Sequence, residues 1–126
     1  QLKKLPSFLK QRRENAKLFV ELFKNHPDFI IQKDIDNSSW FGFSLIIKPG
    51  SSLKRKDMIN KLQENKIDCR PIVTGNFTKN DVMKFFDYEV HKELTNADYL
   101  HENGFFVGNS QVDLSENITF LRGVLS

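Results

Sequence analysis

Apolar residues along this chain recur at two periods, and the switches between them mark out its elements. From Pro6 to Asn25, residues Phe8, Leu9, Ala16, Phe19, Leu22 and Phe23 fall three and four positions apart, the stripe of a long amphipathic helix. "NHP" at 25–27 ends it, because a residue preceding proline is driven out of helical geometry. "FIIQK" predicts a short strand. After the polar turn "DIDNSS", the alternation of "WFGFSLIIK" predicts a second, central strand over Trp40–Lys48. Phe41, Phe43, Leu45 and Ile47 would share one of its faces, and Trp40, Gly42, Ser44 and Ile46 the other.

"PGSS" is a break, and Leu53, Met58, Ile59 and Leu62 mark the buried side of a helix ending near Asn65. "IDCRPIV", 67–73, predicts a strand that Pro71 assigns to an edge or an irregular end. A short helical stretch around Val82–Phe86 and a polar connection follow. Thr95 with Asp98 resembles a capping box, which predicts a helix over Asn96–Asn103, closed by Gly104 in the left-handed position past its end. "FFV" predicts a last short strand. Asp113 with Glu116 forms a second capping pair before Leu114, Ile118, Leu121 and Val124 at helical spacing. The order α β β α β α α β α predicts an α+β fold, a small mostly antiparallel sheet with packed helices.

Composition narrows this only a little. The 126 residues suffice for one domain with a single core. No apolar run reaches the roughly 18–20 residues of a membrane span, so a soluble protein without membrane contact is expected. The chain opens on Gln1 with a helix already in progress and no leader-like segment, which suggests a piece of a longer chain. A lone cysteine, Cys69, favours a reducing, cytoplasmic setting, and the three N-x-[ST] matches at Asn37, Asn76 and Asn117 read as chance. The formal charge is +3, but the basic runs "QRR" at 11–13 and "KRK" at 54–56 are short and read as solvated helix faces, with no nucleic-acid partner expected.

Candidate chemistry is sparse. His26, His91, His101 and Cys69 form no metal-ligand spacing. "SFLK" and "SSLK" both match S-x-x-K, and the repetition marks the match as chance. Arg70 beside Cys69 would lower the thiol pKa, yet a buried strand cysteine is the simpler reading. "NGFFVGN" shares a glycine and aromatics with RNA-recognition sheets, but Asn103, Phe106 and Gly108 stand where that pattern needs basic, small and aromatic residues. More informative are two glycine-asparagine corners where predicted strands stop, "RPIVTGNF" at 70–77 and "FFVGN" at 105–109. Glycine permits close approach of a ligand, asparagine offers donor and acceptor, and Arg70 offers a bidentate fork for carboxylate or phosphate. Both corners also read as plain tight turns.

Four segments resemble, in order and spacing, the C-terminal domain of the DegT/DnrJ/EryC1/StrS family of pyridoxal-phosphate sugar enzymes: "SSWFGFSLIIKPG", "LQENKIDCRPIVTGNF", "FFDYEVHKELTNADYLHENGFFVGN" and "ITFLRGVL". The resemblance covers nearly all of 1–126 and implies the C-terminal small domain of a fold-type-I aminotransferase-like enzyme, with the N-terminal cofactor-binding domain absent and no catalytic residue in this chain. Within the family the likeness is to sugar 3-dehydratases. It implies pyridoxal 5'-phosphate or pyridoxamine 5'-phosphate as cofactor, L-glutamate as amino donor, a GDP-linked 4-keto-6-deoxy sugar as substrate, and a homodimer serving O-antigen or other surface-polysaccharide synthesis. A sugar aminotransferase is the alternative. By the same resemblance Arg70, Asn76, Asn109 and Ser110 are expected on the substrate side, and Trp40 and Phe41 against the cofactor domain. The family's "GNHQ" and following proline are here "GNSQVD", with Ser110 in place of histidine and Asp113 in place of proline.

Overall fold

The computed structural model describes residues 2–126. A 3-10 turn at Leu2–Lys4 leads into α1 (Leu5–Phe23), followed by β1 (Phe29–Ile31), β2 (Gly42–Ile47), α2 (Arg55–Glu64) and β3 (Cys69–Pro71). Two 3-10 turns, Phe77–Lys79 and Asp81–Phe85, precede α3 (Thr95–Asn103), β4 (Gly104–Gly108) and α4 (Ser115–Val124). The predicted order of elements holds, with the helical stretch near 82–86 realised as a 3-10 turn.

The strands form one antiparallel sheet in the order β1-β2-β4-β3. β2 is internal, and β3, carrying Pro71, is an edge, where a missing N–H breaks no ladder. The register pairs Phe29 with Ile47, Leu45 with Phe105 and Phe43 with Val107, so these six side chains lie on one face. Against it pack Ala16, Phe19 and Phe23 of α1, Met58 and Leu62 of α2, and Ile118, Leu121 and Val124 of α4. Phe19 stacks on Phe43 at 4.5 Å and on Phe23 at 4.7 Å between ring centroids. Burying each such ring contributes about 1.5–3 kcal/mol.

Three local expectations are corrected. Gly104 is not left-handed: at φ −102 it is the first residue of β4, opposite Ile46. Its glycine is required by close approach, since a Cβ would meet Leu100 O at 2.6 Å and Ile72 Cδ1 at 2.7 Å. Thr95 does not cap α3; Leu94 holds that place without a side-chain bond, and Asp98 turns instead to Asn76. Before α4, Asp113 accepts from Ser115 N at 2.9 Å, while Glu116 makes no reciprocal cap.

The fourth correction matters most for the site. The alternation of β2 breaks at its start because Trp40 adopts φ +50. Trp40 is therefore turned into the core, 4% exposed and edge-on to Phe19, while Phe41 is thrown outward, 81% exposed. Left-handed geometry at an aromatic residue costs on the order of 1–3 kcal/mol. It is held by Arg12, whose guanidinium donates to the carbonyls of Ser39, Trp40 and Asn109, and by Asn109 Nδ2 donating to Trp40 O at 3.0 Å.

Candidate functional site

The core helices α1, α2 and α4 lie on one face of the sheet; the second face is covered at its Ile46 and Gly104 end and uncovered toward Gly42. Opposite residues of paired strands point the same way, so Ser44, Phe106 and Arg70 form a row across β2, β4 and β3 on that face. Gly42 lies beside the row, and its lack of a Cβ lets the Phe106 ring rest on the β2 backbone; an added Cβ would come within 2.6 Å of Phe106 Cδ2. The displaced Phe41 ring stands beside Phe106 at 5.8 Å, tilted by 48°. A groove of about 270 Å³ opens here, lined by Gln32, Phe41, Gly42, Ser44, Ile72, Val73 and Phe106.

The first corner, after β3, closes one end of this groove. Gly75 N donates to Ile72 O at 2.8 Å, making a tight turn in which Val73 has φ +50 and Gly75 φ +63. Val73 is a β-branched residue in a left-handed conformation, 84% exposed at the groove's rim. Beyond the turn Asn76 is buried, and its side chain is fully engaged. Its Oδ1 accepts from Thr78 N and Oγ1, capping the following 3-10 turn, and its Nδ2 donates to Asp98 Oδ1 at 2.7 Å. Asp98 also pairs with Lys79 at 3.1 Å; these two contacts, Asn76 first, hold its carboxyl below the usual range. His101 Nδ1 accepts from Asn76 N at 3.2 Å. The loop is thus fastened to α3 from both sides.

The second corner is organised by α1. Asn15, buried at 3% exposure, donates through Nδ2 to Asn109 Oδ1, Ser110 O and Val112 O, and accepts at Oδ1 from Leu114 N at 3.2 Å. Asn109 donates in turn to Arg12 O and Trp40 O and accepts from Ser110 N at 2.8 Å. Sequence reasoning misses Arg12 and Asn15 as working residues; within "QRRENA", Arg12 is part of a buried polar knot rather than a solvated face. Arg13 likewise donates to Asn37 O and Ser38 O. In the second basic run, Arg55 Nε donates to Gly104 O at 2.8 Å. The only sequence signal for any of this is the proximity of polar residues to an apolar helical stripe.

The anticipated site residues therefore divide. Arg70 is exposed on β3 and its guanidinium has no hydrogen bond or ion pair among the described residues. Ser110 is half-buried, its hydroxyl 3.4 Å from Gln111 Oε1. Asn76 and Asn109 are structural anchors whose polar atoms are spent within the fold. Trp40 is a core residue, which corrects its expected place on a domain contact; Phe41 alone of that pair is presented outward. Phe105 is fully buried, so only Phe106 of "NGFFVGN" reaches the open face. Burial pushes the Cys69 thiol pKa up despite nearby Arg55, which identifies a packing residue rather than a nucleophile.

Two basic groups near the core are committed within the fold: His26 is spent between Leu125 O and Asp28 N, and Lys48 Nζ on His26 O, so neither is free to hold a cofactor. No described helix is long and apolar enough to cross a membrane.

Comparison with known proteins bears on the same surface. The chain is 55% identical over 126 residues to the GDP-4-keto-6-deoxy-D-mannose 3-dehydratase of Yersinia pseudotuberculosis, covering 99% of this chain and 32% of that enzyme. It superposes with TM-score 0.97 and 54% identity on a GDP-4-keto-6-deoxymannose-3-dehydratase holding a trapped PLP–glutamate adduct, and equally on a variant of that enzyme with bound GDP-perosamine. All of this chain is covered in both cases, and 33% of each solved chain, so it spans about a third of its relatives' length. Residues 1–115 match the model of one family, and the chain belongs to it: the DegT/DnrJ/EryC1/StrS aminotransferase family.

Proposed function

We propose that this chain is the C-terminal small domain of a nucleotide-sugar 3-dehydratase that uses pyridoxal or pyridoxamine phosphate, L-glutamate and a GDP-linked 4-keto-6-deoxy sugar. The observation that carries the reading is the 54–55% identity along the whole chain to 3-dehydratases of that specificity. The bound PLP–glutamate adduct and GDP-perosamine of the solved relatives support the same donor and the same nucleotide. The cofactor would be held by the remainder of the enzyme, where it supplies the amine and the electron sink for loss of the sugar's 3-hydroxyl.

This chain's part is to bind and orient. Arg70, exposed and uncommitted, pairs with the carboxylate of glutamate or with the sugar diphosphate, and a guanidinium fork suits either group. Asn76 and Asn109 hold the two corner loops in place. Ser110 lies beside Asn109 on the substrate side. Phe41 and the open sheet face turn toward the rest of the protein. The full enzyme is read as a cytoplasmic homodimer in deoxysugar synthesis for surface polysaccharide, O-antigen included.

The full-length protein provides the test. It should show near-ultraviolet cofactor absorbance, shift that absorbance with L-glutamate, and convert GDP-4-keto-6-deoxymannose to a 3-deoxy product. Absence of cofactor absorbance would end the reading. An amino sugar as product would favour the aminotransferase alternative, the activity for which the family is named.

A further inference from the structure

We infer that His101 is a positioning residue for the reaction: its imidazole fixes the turn at 72–76 and thereby sets where Arg70, just upstream, meets its anion; this rests on the reading above in which Arg70 binds glutamate or the sugar diphosphate. β3 can do little to place Arg70 by itself. It is three residues long, lies at the sheet edge with β4 as its neighbour, and ends on Pro71, which has no N–H to bond. The path of the chain through Arg70 therefore depends on what grips it immediately beyond. There the backbone holds a conformation it would not keep unaided, since Val73 is β-branched and left-handed at φ +50.

The grip comes from α3. Asp98, His101 and Glu102 lie three and four positions apart, on one face of that helix, and all three turn to residues 76–79. Asp98 takes the Asn76 side chain and Lys79, and Glu102 takes Lys79 at 2.9 Å. His101 does something the carboxylates do not. Its Nδ1 accepts from the main-chain N–H of Asn76 at 3.2 Å, so the bond acts on the peptide that closes the turn rather than on a side chain that can rotate. In the neutral ring an accepting Nδ1 leaves the proton on Nε2. Two absent Cβ atoms let the pieces close. Gly75, at φ +63, leaves the room that the imidazole occupies, and Gly104, where α3 passes into β4, leaves the room taken by Ile72 Cδ1. The α3–β4 junction thus holds the turn at both ends, at Ile72 and at the Gly75–Asn76 peptide, directly downstream of Arg70 and Pro71.

The test is steady-state kinetics of the full-length holoenzyme, with KM taken for GDP-4-keto-6-deoxymannose and for L-glutamate. Arg70→Ala identifies which of the two anions Arg70 receives. His101→Leu, which fills a similar space without an acceptor, is expected to raise KM for that same reactant by about 3- to 10-fold with kcat within twofold. His101→Asn, whose amide oxygen sits at the Nδ1 distance from the backbone, is expected to keep both constants within twofold of the parent. In the Arg70→Ala background His101→Leu should add less than twofold, because the two act as one unit. Cofactor absorbance and thermal midpoint report folding of each variant. If His101→Leu holds no cofactor, His101→Gln, polar but with its amide one carbon farther out, takes its place under the same expectation. A KM within twofold of the parent in the variant lacking the acceptor overturns the inference. So does an equal loss in His101→Asn, which would leave His101 as mere packing for the turn, a loss that adds in full to that of Arg70→Ala, or an Arg70→Ala variant with both KM values unchanged. A working parent with any of these results sinks this inference alone; a parent that holds no cofactor and turns over no GDP-4-keto-6-deoxymannose sinks the functional reading with it.

Discussion

Asn15 and Asn109, 94 positions apart, meet amide to amide at 3.1 Å, and through that contact the first helix holds the loop that follows the last strand. A buried polar group that loses its partners costs about 1–3 kcal/mol. Asn15→Ala strands Leu114 N and the Ser110 and Val112 carbonyls, and Asn109→Ala strands Ser110 N and removes one of the two donors to Trp40 O. Each is expected to lower unfolding free energy by about 2–4 kcal/mol by urea denaturation. Because the two share one network, the double variant should cost clearly less than the sum, and simple additivity would show that the knot is not cooperative.

Glycine substitutions should separate by what a Cβ would meet. At Gly75, with φ +63, an added Cβ would fall on His101 Nδ1, displacing the ring that accepts from Asn76 N. Gly75→Ala is expected to destabilise by about 1–3 kcal/mol and to loosen the 72–76 turn. Gly123, inside α4 with nothing within 4 Å of where a Cβ would sit, should do the reverse. Gly123→Ala is expected to raise stability by about 0.5–1 kcal/mol, read as a higher thermal midpoint.

His26 gives stability a pH dependence. Burial lowers its pKa from the ordinary 6.5, with Arg122 adding to the effect. In the fold the neutral ring donates from Nε2 to Leu125 O and accepts at Nδ1 from Asp28 N, so a second proton would face an N–H. Below pH 6.5 the unfolded chain takes up that proton and the native one does not, so stability falls as pH drops from 6.5 toward the lowered native value. Unfolding curves taken from above pH 6.5 downward should show this slope, and His26→Gln should flatten it. A slope unchanged in that variant would move the effect to other groups.

Cys69 should react slowly. Its thiol pKa is raised by burial, which leaves little thiolate at neutral pH, and its strand partner is Val107 on the core side of the sheet. Disulfide-exchange labelling near neutral pH should proceed well below the rate of a free thiol and speed up in mild denaturant. Labelling at the free-thiol rate would contradict the placement.

Periodicity made the element order and the antiparallel sheet legible, because helix and strand stripes depend on neighbours a few positions away. Pro71 likewise narrowed β3 to an edge or an irregular end by a rule local to one residue, and the structure makes it an edge. The family segments pointed to the two corners. What stayed hidden was what long-range contacts decide. Arg12 and Asn15 look like any polar helix positions until the carbonyls of residues 39–40 and 109–112 are brought to them. For the same reason alternation misassigned Trp40 and Phe41: a left-handed residue, held from across the molecule, exchanged their faces. Asn76 and Asn109 were placed at working corners by their motifs, yet only their bond partners show that they anchor loops and have no polar atom to spare.

The union of α1 with α4 sets an order of events for the nascent chain. Phe19 and Phe23 lie in the same core as Leu121, Val124 and Leu125, and His26 bonds to the carbonyl of Leu125. Synthesis delivers the first helix about a hundred residues before α4, so Phe19 can meet Trp40 and Phe43 long before the side of the stripe that faces Leu121 and Val124 is covered. Chaperone occupancy on the ribosome should therefore fall in two steps, first as residues 40–47 emerge and finally when residues 118–125 have emerged.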